Sequence, residues 1–184
     1  MTTAVRIPGY VTGTWSLDPA HTEIGFVARH LMVSKVRGKF EQFTGTIKTA
    51  PNPLDSYAEA EIELSSITTG TEQRDNHLRS SDFFDVETSP KMTFRSTGIR
   101  PDGEDFLVDG ELTIRGVTKP IVLKVEIGGF GDDPWGGTRL GLSATAVINR
   151  HDFGVSWNST LDRGGFVVGD DVHITVDAEA ILES

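Results

Sequence analysis

A two-residue alternation of apolar and polar side chains runs through most of the chain. Residues 57–64 (YAEAEIEL) set Ala58, Ala60, Ile62 and Leu64 against Glu59, Glu61 and Glu63. Residues 121–127 set Ile121, Leu123, Val125 and Ile127 against Lys124 and Glu126, and 139–148 align Leu140, Leu142, Ala144, Ala146 and Ile148. Residues 172–182 align Val172, Ile174, Val176, Ala178, Ala180 and Leu182 against His173, Thr175, Asp177 and Glu179. Successive strand residues point to opposite faces of a sheet, so this pattern predicts strands with one dry face and one wet face. That is the antiparallel signature rather than the doubly buried parallel one.

Further strands are predicted at 14–18, 23–29, 36–49, 91–98 and 105–115. Turn chemistry separates them at Asp102-Gly103, Gly128-Gly129, Asp132 to Gly137 and Arg163-Gly164-Gly165. Eight or nine such strands with few helices read as an antiparallel barrel or a sandwich. Residues 65–90 break the alternation. Thr71 is placed to cap a short helix over 72–80, which gathers Leu78, Phe83 and Phe84 at its far end. A second short helical piece is expected around His30–Lys35.

Small residues recur on the apolar faces: Ala58 and Ala60, Ala144 and Ala146, Ala178 and Ala180, with Ala28 and Gly110 on two further strands. Protein cores are packed to crystal-like density, normally by larger side chains. An eight-stranded barrel is close to the size at which the lumen is either just filled or holds one small ligand. Repeated alanine favours the cavity, and its inward positions are so apolar that the contents would be a hydrocarbon-like molecule. The opposing reading is a filled barrel, with Phe26, Phe40, Phe43 and Phe94 reaching across the gap.

Composition narrows the classes. The 184 residues carry a net charge of −10, which repels phosphate backbones and argues against nucleic acid and against tight docking on anionic lipid. No apolar run approaches the roughly 20 residues of a membrane-spanning helix. The absence of cysteine excludes disulfides, thiolate metal sites and cysteine nucleophiles. The N-terminal stretch has no apolar core of a signal peptide, so a cytoplasmic location is expected.

Motifs for catalysis are missing: no HExxH, GxSxG, Walker loop or GxGxxG. Gly128 to Gly131, followed by Asp132 and Asp133, reads as a hairpin turn. His21 and His30 are expected near a barrel mouth, while the histidine spacing singles out no metal set. Asp82, Asp85 and Glu87, and Asp170 with Asp171, read as solvated turns. Arg74-Asp75 is either an ion pair pinning the helix over the barrel, which is favoured, or, with His30, a polar entrance to a cavity. Asn158-Ser159-Thr160 fits the glycosylation sequon, which is idle in a cytoplasmic protein.

Beyond these readings, the chain resembles the YceI-like family of polyisoprenoid-binding, lipocalin-like barrels. The matching stretches are Trp15 to His21, Val36 to Phe40 with Phe43-Thr44-Gly45, Ser66 to Thr69, Arg74 to Leu78 and Ser81 to Asp85. They continue with Gly110 to Gly116, Arg150 to Gly154, and Gly169 to Val172. The resemblance implies an all-β, extended eight-stranded antiparallel lipocalin-like barrel over residues 14–184, with one or two short helices. Residues 1–13 form an N-terminal extension, in which Ile7 and Tyr10 either pack over a barrel end or stay loose. It further implies non-catalytic binding, sequestration or transport of a long-chain polyisoprenoid, isoprenoid quinone or similar amphiphile, no cofactor, and a homodimer. The aromatic lining it suggests is Phe26, Phe40, Phe43, Phe83, Phe84 and Phe94. The alternating positions Ala28, Ala58, Ala60, Ile62, Leu112, Leu123, Leu142, Ala144, Ala146, Val176 and Ala178 supply the rest. The rival readings are a small hydrolase or isomerase acting on an apolar substrate through His21, His30 or Arg74-Asp75, and an interaction module with a filled barrel.

Overall fold

The computed structural model describes residues 5–31, 33–159 and 167–183. The Arg163-Gly164-Gly165 turn and Thr160 of the sequon lie outside these residues. Eleven strands form one antiparallel sheet: β1 (Gly13–Leu17), β2 (Glu23–His30), β3 (Ser34–Phe40), β4 (Phe43–Thr49), β5 (Tyr57–Glu63), β6 (Ile67–Thr68), β7 (Lys91–Asp102), β8 (Asp105–Ile114), β9 (Val117–Asp132), β10 (Thr138–Asn149) and β11 (Val168–Leu182). The single α-helix among the described residues, α1 (Glu72–Arg79), falls where it was predicted.

The sheet closes on itself through β11. One edge of β11 pairs β10 from Asp171 to Ile181. The other edge is shared: Ala180 to Leu182 pair β1, and Val168 to Asp177 pair β2. β1 and β2 thus form one stave broken at residues 18–22. The next two staves are broken as well, because β4 pairs β1 and β5 while β3 pairs β2 and β6. With β7 to β11 this gives a closed barrel of eight staves, as expected.

Local chemistry explains where the expected elements differ. The strand expected over 36–49 is cut at Glu41-Gln42, where both backbone N–H groups donate to the Ser66 hydroxyl. The helix expected around His30–Lys35 is a hairpin instead. The alternation of Ile24, Phe26 and Ala28 pairs in register with Phe40, Gly38 and Val36, and Leu31 takes a left-handed turn conformation with φ of 54°. Two-residue periodicity there outweighs local helix propensity. Gly128-Gly129 makes no turn; it lies inside β9, where Gly141 pairs Gly129 and Leu142 pairs Ile127, so Gly128 is the extra residue of a bulge. Gly129 has φ of +149°, a conformation suited to glycine. The turn itself comes later, with the Asp133 carboxylate accepting from the Trp135 and Gly137 N–H groups. Thr71 occupies the N-cap position of α1, but its side chain makes no capping bond.

Burial differs between the two ends. At one end Trp15, fully buried, packs with Leu140 and Ala180 and donates from Nε1 to the Thr49 hydroxyl at 2.8 Å. Tyr10 closes this end, its ring edge-on to Phe130 at 5.4 Å and its hydroxyl donating to the Ala50 carbonyl. Ile7 and Tyr10 are therefore packed over the barrel end rather than loose. At the other end α1 and residues 80–90 lie across the gap left where β6 stops.

Candidate functional site

The barrel encloses a cavity of about 320 Å³, at the lower end of the range for small-molecule sites. It runs from Ile7, Tyr10 and Phe130 at the Trp15 end to Arg150, Phe153 and Val155 at the helix end. Along β10 the wall extends from Leu140 to Ile148, about 27 Å at the usual strand rise. A tilt of about 40° brings that to roughly 20 Å along the axis. The space is long and narrow, the shape of one extended chain.

On the inward face of β11, Ala178 and Ala180 are buried while Val172, Ile174 and Val176 are half-buried, and all but Ala180 border the cavity. On β8 every inward residue, from Phe106 to Ile114, is buried.

Of the expected lining, Phe26, Ala28, Phe40, Ala58, Ala60, Ile62, Phe83, Phe84, Phe94, Leu112, Leu123, Leu142, Ala144, Val176 and Ala178 border the cavity. Phe43 does not. It directly follows the Glu41-Gln42 break, pairs Ile62, and is buried in the packed cluster with Leu64 and Ile67. Ala146 also lies off the wall, at a level where β10 pairs β11 but has lost β9, whose ladder ends at Thr145. The aromatic rings occupy part of the lumen. A Cβ at Gly38 would strike the Phe26 ring, and one at Gly110 the Phe94 ring and the Arg95 carbonyl at 2.8 Å. Both glycines are therefore seats for rings rather than open space.

The expected polar entrance is absent from the wall. Arg74 donates to the Thr69 hydroxyl at 2.7 Å and carbonyl at 2.8 Å, while the buried Asp75 carboxylate accepts from the Thr69 N–H at 2.9 Å. The pair pins α1 through Thr69 rather than through an ion pair with each other. His30 sits in the β2–β3 hairpin, clear of the wall, and His21 lies beyond the opposite end of β2, so the two do not converge.

Residues 80–90 and the helix form a cover. Arg79 donates to the Ser65 and Ile67 carbonyls, both at 2.9 Å, and Arg115 donates to the Phe83 carbonyl at 2.7 Å. His77 packs edge-on against Phe83 and Trp157, with ring centroids 5.0 and 4.7 Å away, and meets the Asp82 carboxylate at 2.8 Å. Leu78, Phe83 and Phe84 present the underside of this cover to the cavity.

Arg150 was missed as a site residue. It is 4% exposed and reaches the wall, and its guanidinium donates to the carbonyls of Gly169, Val155 and Trp157 at 2.8 Å and Val168 at 3.3 Å. Burial pulls its pKa down, partly offset by Asp170. The signal was present: Arg150 continues the inward register of Leu140, Leu142, Ala144 and Ile148.

Outside the barrel, Asp18, His21 and Glu179 come close enough to share an ion. A guanidinium already stands among them, with Arg139 Nη1 2.8 Å from Asp18 and 3.4 Å from Glu179. Hydrogen bonds from His21 and then Arg139 hold the Asp18 carboxyl down at about 2.

The YceI-like domain family matches residues 15–180. A UPF0312 protein of Staphylococcus aureus is 38% identical over 167 residues, covering 90% of this chain and 95% of its own. One from Photorhabdus laumondii is 41% identical over 134 residues, 72% and 70% of the two chains. Among solved structures, a Campylobacter jejuni YCEI protein superposes with a TM-score of 0.73 at 33% identity, covering 97% of this chain and all of that one. A polyisoprenoid binding domain from Saccharophagus degradans shares the fold, with a TM-score of 0.67 at 18% identity over 92% and 98% of the two chains. With the closed eight-stave barrel and a family match across nearly its whole length, the chain belongs to the YceI-like family.

Proposed function

We propose that the barrel holds a long-chain polyisoprenoid, isoprenoid quinone or similar hydrophobic amphiphile, and sequesters or transports it without changing it chemically. The observation that carries this is the cavity itself: long, narrow, walled by aliphatic and aromatic side chains, with one buried charge at its helix end. At roughly 0.8 kcal/mol per buried methylene-sized group, one five-carbon unit contributes about 4 kcal/mol before the cost of association. A chain of a few units binds without a polar anchor.

The polar groups on the wall have other duties. Ser96 accepts from the Ala58 N–H at 2.8 Å, Tyr57 donates to Glu59 at 2.7 Å, and Arg150 is spent on four carbonyls. The bond to Glu59 raises the Tyr57 hydroxyl pKa, the opposite of what activates a nucleophile. The ligand class named for the Saccharophagus degradans domain agrees with this chemistry.

Organic extraction of the purified protein, followed by mass spectrometry, tests the reading. An intact isoprenoid-type lipid is expected, recovered unchanged after prolonged incubation. A lumen that is empty and takes up no added isoprenoid overturns the ligand, and time-dependent conversion of the lipid overturns the non-catalytic role. Native mass spectrometry of the same sample tests the expected homodimer.

A further inference from the structure

The surface is not uniformly acidic. Between Glu23 and Glu41 the chain has no carboxylate but carries Arg29, Lys35, Arg37 and Lys39, in a protein whose net charge is −10. All four side chains are exposed on the β2–β3 hairpin, and Arg29 stands directly opposite Lys35 across the ladder. Like charges facing each other cost stability. Among the described residues none of the four has an ion-pair partner. The hairpin tip adds the reverse of what a soluble turn calls for, with Val33 82% exposed and Leu31 exposed beside it.

Charged residues on β3 would guard a free sheet edge against pairing with other chains. That accounts for Lys35 and Arg37, but not for Arg29, which lies on the interior strand β2, nor for an apolar tip. An apolar tip with basic side chains along the outer face of the two strands behind it matches the boundary of an anionic bilayer, where the tip enters the head-group layer and the bases meet lipid phosphates. The position fits as well. Phe26 and Ala28 of β2 line the cavity, and the tip lies about 10 Å further along the same strand, at the helix end and its cover.

We propose that the β2–β3 hairpin docks the barrel reversibly on an anionic lipid surface, presenting the helix end of the cavity to the bilayer. The contact stands on the hairpin alone; its use for loading the cavity rests on the function proposed above. The expectation from net charge, that such surfaces repel the protein, averages away this patch.

The test is co-sedimentation of the full chain with vesicles of equimolar phosphatidylcholine and phosphatidylglycerol, and with vesicles of phosphatidylcholine alone. Binding is expected to the first and not the second, and to be released by salt. Each basic residue near the surface is worth about fivefold in affinity, so Arg29→Gln with Lys35→Gln and Arg37→Gln lowers binding about 100-fold. Val33→Asp, a change at an exposed tip, weakens it too. Lys48→Gln with Lys119→Gln and Lys124→Gln makes the same change in net charge on exposed sites elsewhere and leaves binding intact. Absence of vesicle binding, equal binding to both compositions, or equal loss in the two triple variants overturns the proposal. Lipid extraction of the hairpin variant reads the cavity separately: retained ligand with lost vesicle binding leaves the proposed function standing, and a cavity without ligand alongside intact vesicle binding leaves the docking standing.

Discussion

Replacing Ala60 and Ala144 together by leucine distinguishes a hollow barrel from a filled one through the sign of the stability change. Both border the cavity, Ala60 on β5 and Ala144 on β10. Each substitution adds three methylene-sized groups, six in total. At roughly 0.8 kcal/mol each, the added groups take over about 5 kcal/mol of burial that a bound chain would otherwise gain. Ligand affinity then falls by about three to four orders of magnitude. The same carbons forced into a packed core would cost about 1–3 kcal/mol each site. In an open lumen they lose no packing and gain burial, so the ligand-free variant should be at least as stable as the ligand-free parent. Urea unfolding of delipidated protein gives the first quantity, and titration with a fluorescent isoprenoid analogue gives the second. A variant destabilised by several kcal/mol that still binds the analogue with parental affinity would refute the hollow-barrel reasoning.

Arg150→Met leaves four carbonyls of the 155–169 region without their donor, and a loss of about 3–5 kcal/mol in urea unfolding is expected; Arg150→Lys, with fewer donors, should recover only part of it. Asp18 has a folded-state pKa of about 2 against an ordinary value of 3.8. Its contribution is therefore complete above about pH 4 and is lost as pH falls toward 2. Asp18→Asn should be less stable than the parent at neutral pH by up to about 1 kcal/mol, with the gap closing at low pH; a gap independent of pH would contradict the assignment. Trp157→Ala removes the ring that holds His77 and Phe83, so ligand release in stopped-flow displacement should quicken by up to about tenfold. An unchanged release rate would mean that the cover does not limit exchange.

The barrel was legible because its evidence is periodic. Residues such as Ile121 to Ile127 or Val172 to Leu182 announce their strand and their inward face without reference to any partner. The broken staves were not legible, since the Glu41-Gln42 break depends on the Ser66 hydroxyl, which only the fold brings there. The hairpin at Leu31 was mistaken for helix because a short apolar turn carries no glycine to mark it. At the site, the wall followed from alternation, and the errors have local causes. Phe43 and Ala146 have the right parity but sit at interruptions, where parity ceases to report what a residue faces. Arg74, Asp75 and His30 were grouped by chemistry alone, and chemistry does not say that Thr69 would occupy the first two. Gly38 and Gly110 show how small residues mislead: the volume they leave belongs to a ring on the adjacent strand.

β11 touches β10 along one edge and both β1 and β2 along the other. The pairing of Trp15 with Leu182 joins opposite extremes of the domain, a contact of very high sequence separation and hence late in folding. Until the last strand is in place, β10, β1 and β2 all present open edges, and the apolar inner wall stands uncovered. The cylinder therefore shuts only once β11 (Val168–Leu182) is in place, and a chain cut before Val168 leaves a curled sheet with open edges at β10, β1 and β2 instead of a smaller barrel.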